Sequence, residues 1–430
     1  MKRTNTALLW LLMLLLLPHV AFAQRDVIDG LRPADKWGLN TFEGVKTAAM
    51  PFDGLRLRLG GAFSQDFQML SHENSANAVL DANGVNLNQL ADIGSNFNTA
   101  TANLTIDVQL DEGVRMHLNT YLSSRHHTET WVKGGYLQLD RTPFLPVLNP
   151  IMEYVSLRIG HMEIDHGDAH YRRTDNGNAL HNPFVENYIL DAFTTEIGAE
   201  ALVRAGGLIG VVGVTNGEIK GDVASAGKIS PSVYAKVGID RQLQDDLRVR
   251  LTGSVYTTSQ SASNTLYGGD RTGSRYYLVM ESVTASAASK FTSGRLNPGF
   301  RNEVTSVIIN PFIKFRGLEL FGNYEIASGA AAGEAQTRDV TQLAADVVYR
   351  FGGEEDFFVG LRYNTVTGQL AGYENDVTIT RIAGSGGWFI DDNVLLKLEY
   401  VTQQYDDFDA SSIYHGGQFN GLMVNAVVGF

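Results

Sequence analysis

Apolar and polar residues alternate along much of this chain, and the pattern is clearest in its last ten residues. One parity there is apolar throughout and consists of Leu422, Val424, Ala426, Val428 and Phe430. Because successive side chains of a strand point to opposite faces, this stretch predicts a strand with one continuously apolar face. The other parity, which holds Asn425 and Gly429, predicts a mixed opposite face.

The same alternation predicts fifteen earlier strands. They lie near 55–67, 103–110, 114–122, 131–140, 153–164, 192–204, 207–216, 230–241, 246–259, 303–315, 317–328, 339–351, 355–367, 375–389 and 392–406. Short connections such as 111–113 and 390–391 alternate with long ones such as 68–96, 165–191 and 260–302. Short turns at one end, long loops at the other and an even strand number are typical of outer-membrane barrels. The predicted fold class is therefore all-β, a transmembrane antiparallel up-and-down β-barrel of about 16 strands.

Segment 274–283 (SRYYLVMESV) also resembles a strand, but counting it would make the number of strands odd. It would also break the alternation of short and long connections for every later turn. We therefore expect it to form an extracellular hairpin within the loop 260–302.

Aromatic residues lie close to the predicted short turns and the carboxyl terminus. They are Tyr349, Phe351, Phe357, Trp388, Phe389, Tyr400 and Phe430. Aromatic girdles of this kind mark the interfaces between lipid and water. A soluble β-sandwich would not need them, so they favour the membrane barrel.

The amino terminus indicates export. Lys2 and Arg3 precede an apolar run over 7–17 and a small-residue site at 21–23, which predicts a cleaved signal peptide, 1–23. Residues 24–53 are irregular and polar, and we expect a periplasmic N-terminal segment there, followed by the barrel at 54–430. The chain has no cysteine, which excludes disulfides. The predicted location is the bacterial outer membrane.

Charge narrows the choice of partners. Removal of Lys2 and Arg3 leaves 32 basic residues against 47 acidic ones, a net charge of −15. Such a balance argues against nucleic acid as a partner. The expected partners are outer-membrane lipid and small hydrophilic solutes or anions, and the fold is compatible with a homotrimer.

Arginines on the polar parity should face the lumen and are the candidate pore-lining or selectivity residues. They are Arg56, Arg58, Arg115, Arg158, Arg248, Arg250, Arg350 and Arg362, to which the long loop adds Arg172 and Arg173. Charged side chains around a pore bias ion passage, here toward anions. Inward carboxylates such as Glu319 and Asp346 are almost as numerous, so cross-strand pairs that stabilise the wall are the more economical interpretation.

The loop 165–191 is the most unusual stretch. It and the preceding strand end hold His161, His166, His170 and His181 among several carboxylates. One interpretation is a constriction loop that folds into the barrel, and a second is an ordinary polar surface loop. A metal site is a third, although no spacing matches an established zinc or calcium motif, so no metal and no cofactor are assigned.

Two stretches carry a family resemblance. The first strand, FDGLRLRLGGAFSQD at 52–66, and the run YVSLRIG at 154–160 resemble segments of Gram-negative outer-membrane porins, in part the phosphate-selective porin O and P family. The resemblance implies a passive channel, with the second run preceding a constriction loop. The inward face here balances arginines with acids, unlike the lysine- and arginine-rich ladder of that family.

The expected function is thus a porin for small hydrophilic solutes or ions, leaning toward anions, and not an enzyme. Three alternatives stay open. One is an outer-membrane hydrolase using His166 or His170 with Asp165 or Asp168, or His126–His127 near Ser123 and Ser124. The others are a non-conducting structural or adhesive barrel, and a carrier of hydrophobic solutes with residues 24–53 as a hatch inside the barrel.

Overall fold

The computed structural model describes residues 28, 30–44, 52–123, 131–221, 223, 229–268 and 273–430. The expected signal peptide therefore lies outside the described residues, as do His126, His127 and Ser124 of the hydrolase alternative.

A single antiparallel sheet contains seventeen strands, of which β2 has only two residues. They are β1 (Arg56–Glu73), β2 (Asn96–Phe97), β3 (Thr101–Asp111), β4 (Val114–Ser123), β5 (Trp131–Leu139), β6 (Val155–Glu163), β7 (Thr195–Ala205), β8 (Leu208–Thr215), β9 (Ser232–Gln244), β10 (Leu247–Thr258), β11 (Glu303–Phe315), β12 (Leu318–Ala330), β13 (Arg338–Phe351), β14 (Phe357–Gln369), β15 (Asp376–Asp391), β16 (Val394–Asp406) and β17 (Gly417–Gly429). Sixteen of them are long, which confirms the predicted strand number.

The sheet closes on itself. Strand β1 pairs with β17 along 62–73 and with β3 along 56–64, while every other long strand pairs with its neighbours in sequence. Closure of the sheet leaves no free edge strand. We call the end that carries the turns 112–113, 206–207, 245–246, 316–317 and 392–393 the short-turn end.

The two faces of the wall match the predicted parities. In β17, Leu422 and Ala426 are exposed on the outside, while Met423 and Val427 are buried inside. Outside, near the short-turn end, the rings of Tyr349, Phe351, Phe357 and Trp388 stack in sequence, with centroids 6.0, 5.7 and 6.0 Å apart. This row is the expected aromatic girdle. Phe389 differs from the prediction, because its parity turns it into the barrel, where it is buried.

Segment 274–283 is not a strand of the wall, as predicted. The prediction that it forms a hairpin is wrong. Its backbone is irregular, and Leu278 and Met280 take positive φ angles of 58° and 57°. Tyr276, Val279 and Met280 are fully buried. The local alternation was misleading because this segment packs into the barrel on several sides at once.

Short helices are confined to connections: 3-10 turns at Lys36–Gly38, Pro146–Leu148 and Ala169–Arg172, and one α-helical turn at Asn149–Met152. Among the described residues, none of the helices has the length and apolar character required to cross a bilayer.

Candidate functional site: a lateral cavity inside the barrel

The loop 165–191 lies inside the barrel, against the wall formed by β10–β16. Its backbone amides donate to inward side chains: Gly167 to Ser254 Oγ at 2.8 Å, Ile189 to Asn364 Oδ1 at 2.7 Å, and Val185 to Glu399 Oε2 at 2.7 Å, with similar bonds from Asp168 and Leu190. Because a buried amide without a partner is costly, these wall residues fix the course of the loop.

A second loop, described over 259–268 and 273–302, fills the same side. The Tyr276 hydroxyl donates to Glu399 at 2.7 Å, and Arg295 pairs with Glu186 of the first loop at 2.7 Å. Arg381 of β15 donates to the carbonyl of Gly294 at 2.6 Å. The inner face of β11–β17 is therefore covered by packed chain rather than by water.

The amino-terminal residues 30–44, which we call the N-terminal segment, enter the barrel at its short-turn end. Phe42 packs edge-on against Phe312 of β11, with ring centroids 5.3 Å apart, and Glu43 pairs with Arg250 of β10 at 2.7 Å. The side chains of Phe42 and Glu43 are buried.

A cavity of about 280 Å³ lies on the opposite side, against β1 and β3–β6. A second cavity of about 190 Å³ shares several lining residues with it and extends along β5 to β7. The shared residues are His117, Asn119, Lys133, Tyr136, Arg158, Glu163 and Tyr171. We call the two together the lateral cavity. Its wall comes from the barrel, and its inner side comes from loop 165–191 and the N-terminal segment.

The register of the sheet places an alternating row of polar side chains along this wall. Across β1, β3, β4, β5, β6 and β7 the paired residues are Arg56, Gln109, Arg115, Gln138, Arg158 and Glu200. Arginines therefore stand two strands apart, which is roughly 10 Å at the usual strand spacing. Arg158 donates to Gln138 Oε1 at 3.1 Å and pairs with Glu200 at 3.3 Å.

The next row toward the long loops holds Arg58, Asp107, His117 and Tyr136. Asp107 lies 2.7 Å from His117 Nδ1, so its carboxylate is engaged there. Arg58 forms no ion pair within the described part of the chain, although it lines the lateral cavity. The position therefore presents an uncompensated guanidinium to any solute.

The carboxylates of the cavity are occupied by other cations. Glu163 pairs with His170 at 2.5 Å and with Lys133 at 3.3 Å, and Asp175 pairs with Arg173 at 3.1 Å and with Lys133. Their negative charge is thus largely compensated locally.

Of the ten arginines predicted from sequence, Arg58, Arg115 and Arg158 line the lateral cavity, whereas Arg56 lies just beyond it and pairs with Asp53 at 2.8 Å. The other six are in ion pairs: Arg172–Glu319, Arg173–Asp191, Arg248–Asp240, Arg250–Asp168, Arg350–Glu319 and Arg362–Asp346. All of these except Arg248 are buried. Cross-strand pairing, the more economical interpretation, describes Arg350 and Arg362 well.

The histidines of the loop are spread among different partners. His170 lies between Glu163 and Asp165, His166 contacts Ser306 at 3.0 Å, and His161 contacts Thr195 at 2.9 Å. In the described part of the chain, no group of three or more His, Asp or Glu side chains is arranged to hold a metal ion.

Two of these histidines are perturbed in opposite directions. Burial, reinforced by the charges of Lys236 and His170, lowers the pKa of His166 to about 3. Burial would also lower the pKa of His170, but hydrogen bonds to Asp165 and Glu163 outweigh it and raise that pKa. Burial also lowers the pKa of His181, the third histidine of the loop, so His166 and His181 are shifted toward the neutral form and His170 toward the cationic form.

Several solved outer-membrane proteins share this fold. The anion-selective porin from Comamonas acidovorans is 12% identical with a TM-score of 0.52, and the match covers 88% of this chain and 100% of that one. OmpT of Vibrio cholerae is 10% identical with a TM-score of 0.51 and a coverage of 89% and 100%. The outer membrane channel DcaP of Acinetobacter baumannii is 11% identical with a TM-score of 0.50 and the same coverage.

At such identities the likeness concerns the fold, and it agrees with the sixteen long strands and the exposed apolar band. No protein-family model matches this chain, and no curated protein matches it.

Proposed function

We propose that this protein is a passive diffusion channel of the bacterial outer membrane for small hydrophilic solutes, with the lateral cavity as its route and a preference for anions. The observation that carries the proposal is the lateral cavity itself. It lies inside a closed barrel of sixteen long strands with an apolar exterior, and charged and polar side chains line it. A barrel of this size can hold an aqueous route.

The anion preference follows from the unequal numbers of charges that line the cavity. Five bases, Arg32, Arg58, Arg115, Lys133 and Arg158, share its lining with three carboxylates, Asp107, Glu163 and Asp175. Arg115 pairs with Asp140 at 3.6 Å and Arg158 with Glu200 at 3.3 Å, whereas Arg58 has no ion pair in the described structure. Oriented guanidinium groups bind carboxylates and phosphates well.

Assembly as a homotrimer is part of the proposal. An in-vitro folded OmpT of Vibrio cholerae, which shares the fold, is described in a trimer form. Cross-linking of the refolded protein in detergent should then give a limiting band at three times the monomer mass.

The decisive experiment is single-channel recording in a planar bilayer under a salt gradient. The native protein should conduct, with a reversal potential on the anion side. The triple variant Arg58→Gln/Arg115→Gln/Arg158→Gln should move the reversal potential toward the cation side. Arg316→Gln is the matched control, because that side chain is 74% exposed at a short turn and should leave selectivity unchanged.

A cation-side potential of the native protein would overturn the anion preference and keep the channel. An absence of conductance from folded protein would overturn the channel and favour a second candidate, the non-conducting structural barrel. The observation behind that candidate is the packed interior along β11–β17, where Gln342, Asn364 and Lys397 are fully buried.

The hydrolase alternative receives less support. His170 lies between two carboxylates. The hydroxyl of Ser306 lies 3.0 Å from His166, but both side chains are buried and therefore out of reach of a solute in water. Replacing His166 and His170 should therefore leave any hydrolysis by the preparation unchanged.

A further inference from the structure

Besides the packing of Phe42 on Phe312 and a hydrogen bond from Arg32 to the carbonyl of Tyr171, the N-terminal segment makes polar side-chain contacts at three places near the short-turn end. The outermost is Lys36, whose ammonium lies 2.8 Å from Asp356 and 3.0 Å from Asp392, in the turns after β13 and β15. The amide of Lys36 donates to the carbonyl of Asp392 at 2.8 Å, and Trp37 Nε1 donates to the Asp392 carboxylate at 3.1 Å. This contact is at the rim, where Asp392 is 42% exposed.

The middle attachment is Asn40. Its side-chain Nδ2 donates to Glu319 of β12, and its side-chain Oδ1 accepts from Arg172 of the loop 165–191. Asn40 thus contacts both the wall and the loop. Arg172 and Glu319 also pair with each other at 3.4 Å, and Arg350 adds a pair with Glu319 at 2.7 Å.

The deepest attachment is Glu43. Its two oxygens accept from Arg250 at 2.7 and 2.8 Å, and Lys236 of β9 lies 3.2 Å away. Bidentate pairing of this kind gives both strength and orientation. All three side chains are buried.

The ion cluster around Glu43 is balanced without it. The wall supplies three bases and one acid, and the loop supplies two more acids; the members are Lys236, Arg248, Arg250, Asp240, Asp165 and Asp168. Glu43 is a fourth acid added to three matched pairs. A buried charge that loses its partner is costly, but departure of Glu43 leaves every base of this cluster with a carboxylate.

The same independence holds at the other two attachments. Without Asn40, Arg172 and Arg350 still pair with Glu319. Without Lys36, the carboxylates of Asp356, Asp392 and Glu354 are 35%, 42% and 66% exposed and would be solvated. Each docking site is therefore complete before the segment arrives, as a reversible contact requires.

The segment also bounds the route. Gly30, Leu31, Arg32, Pro33 and Ala34 line the cavity of about 280 Å³, together with Phe42 and Gly44, at the end where a solute would enter or leave. Movement of the segment out of the barrel would widen this end without disturbing the wall.

We propose that residues 30–44 form a detachable plug that regulates the channel from its short-turn end, seated by Lys36, Asn40 and Glu43. This inference rests on the proposed channel function. In the seated state the plug restricts conduction to the lateral cavity, and in the released state it opens the short-turn end.

The test uses the full chain, whose lack of cysteine allows a disulfide lock to be added. Lys36→Cys/Asp392→Cys replaces the rim contact at a point where the two backbones are hydrogen-bonded and thus close enough for a bridge. Oxidised protein should show low, steady conductance, and reduction should raise it reversibly. Lys36→Cys alone is the control and should not respond to oxidation.

A second variant addresses the deep attachment without altering the rim. Glu43→Gln keeps the size of the side chain but removes its charge, and it should raise the fraction of time spent in a high-conductance state. Glu303→Gln, an exposed acid at the far end of β11, is its control.

The outcomes separate the two proposals. Conductance that is the same in oxidised and reduced protein, and unchanged by Glu43→Gln, overturns the plug while the channel stands. If folded protein does not conduct in either redox state, both the proposed channel and the proposed plug are overturned. A redox-dependent conductance supports both.

Discussion

Gly61 and Phe430 form a reciprocal pair of backbone hydrogen bonds, each 2.9 Å long, which joins the last residue of the chain to the first strand. The Phe430 ring covers Gly61 so closely that a Cβ there would lie 2.8 Å from the ring and 2.9 Å from the carbonyl of Asn103. The seam of the barrel therefore depends on a small residue opposite a terminal aromatic one.

Gly61→Val should accordingly destabilise the barrel by about 1–3 kcal/mol, the usual cost of overpacking. The measurement is the temperature at which the folded band disappears on a gel. Gly384→Val is the matched control, since a Cβ on this outward glycine of β15 meets open space. Equal losses from both substitutions would show that the seam is not special.

Removing one partner of a buried ion pair should cost far more than removing an exposed one. Arg362 donates to both oxygens of Asp346, at 2.7 and 2.8 Å, and to the carbonyl of Glu186 at 2.8 Å. Arg362→Gln is expected to lower the free energy of unfolding by about 3–5 kcal/mol. Arg316→Gln should change it by less than about 1 kcal/mol, because its pair with Asp246 is exposed. Urea titration of the two refolded variants measures the difference.

The two perturbed histidines should give opposite pH dependences. The pKa of His166 is lowered to about 3, so between that value and about 6.5 the unfolded chain binds the extra proton and stability falls with falling pH. The pKa of His170 is raised, so its contribution is complete below about 6.5 and is lost as pH rises through the folded value.

Thermal unfolding of His166→Gln and His170→Gln at several pH values checks this prediction. His166→Gln should lose less stability than the native protein on acidification, by on the order of 2 kcal/mol between pH 6.5 and 4.5. His170→Gln should be most harmful at low pH and less so in alkali. Parallel pH profiles for both variants would contradict the assignment.

The hydrogen bonds that fix the loop 165–191 to the barrel wall can be tested at Gln342 and Asn364. These side chains accept from the amides of Leu190 and Ile189 at 2.9 and 2.7 Å, and Gln342 also donates to the carbonyl of Leu190. Gln342→Leu/Asn364→Leu leaves the two amides without partners, at about 1–3 kcal/mol each. The loop should loosen, and the recorded current should become noisier. Thr341→Leu, on the outer face beside Gln342, should leave the current unchanged.

Sequence periodicity predicted the wall well, because one property, burial against lipid, repeats at every second residue. Strand β11 was predicted at 303–315 and is found at Glu303–Phe315, and most other long strands differ by one to three residues at their ends. Strand β1 was predicted to end at Phe67 but continues to Glu73, into the stretch predicted as a loop. The prediction failed at segment 274–283, because that segment is packed on all sides within the barrel and has no face toward lipid.

The filled interior was harder to foresee, because contacts such as that of Ile189 with Asn364 join positions 175 residues apart. One signal was present nonetheless. Val340, Ala344 and Val348 lie on the inward parity of β13, as does Phe358 on β14, and apolar side chains do not suit a water-filled lumen. The three arginines at the cavity could not be distinguished from the six whose ion pairs lie elsewhere in the barrel, since the placement of the loops decides which arginines border the cavity.

The attachments of the N-terminal segment also set an order in time. The segment precedes all of its docking sites in the chain, and Trp37 is separated from Asp392 by 355 positions. It can therefore take its seat only after the strands on either side of Asp392 have formed, so its arrival in the barrel is a late step of assembly.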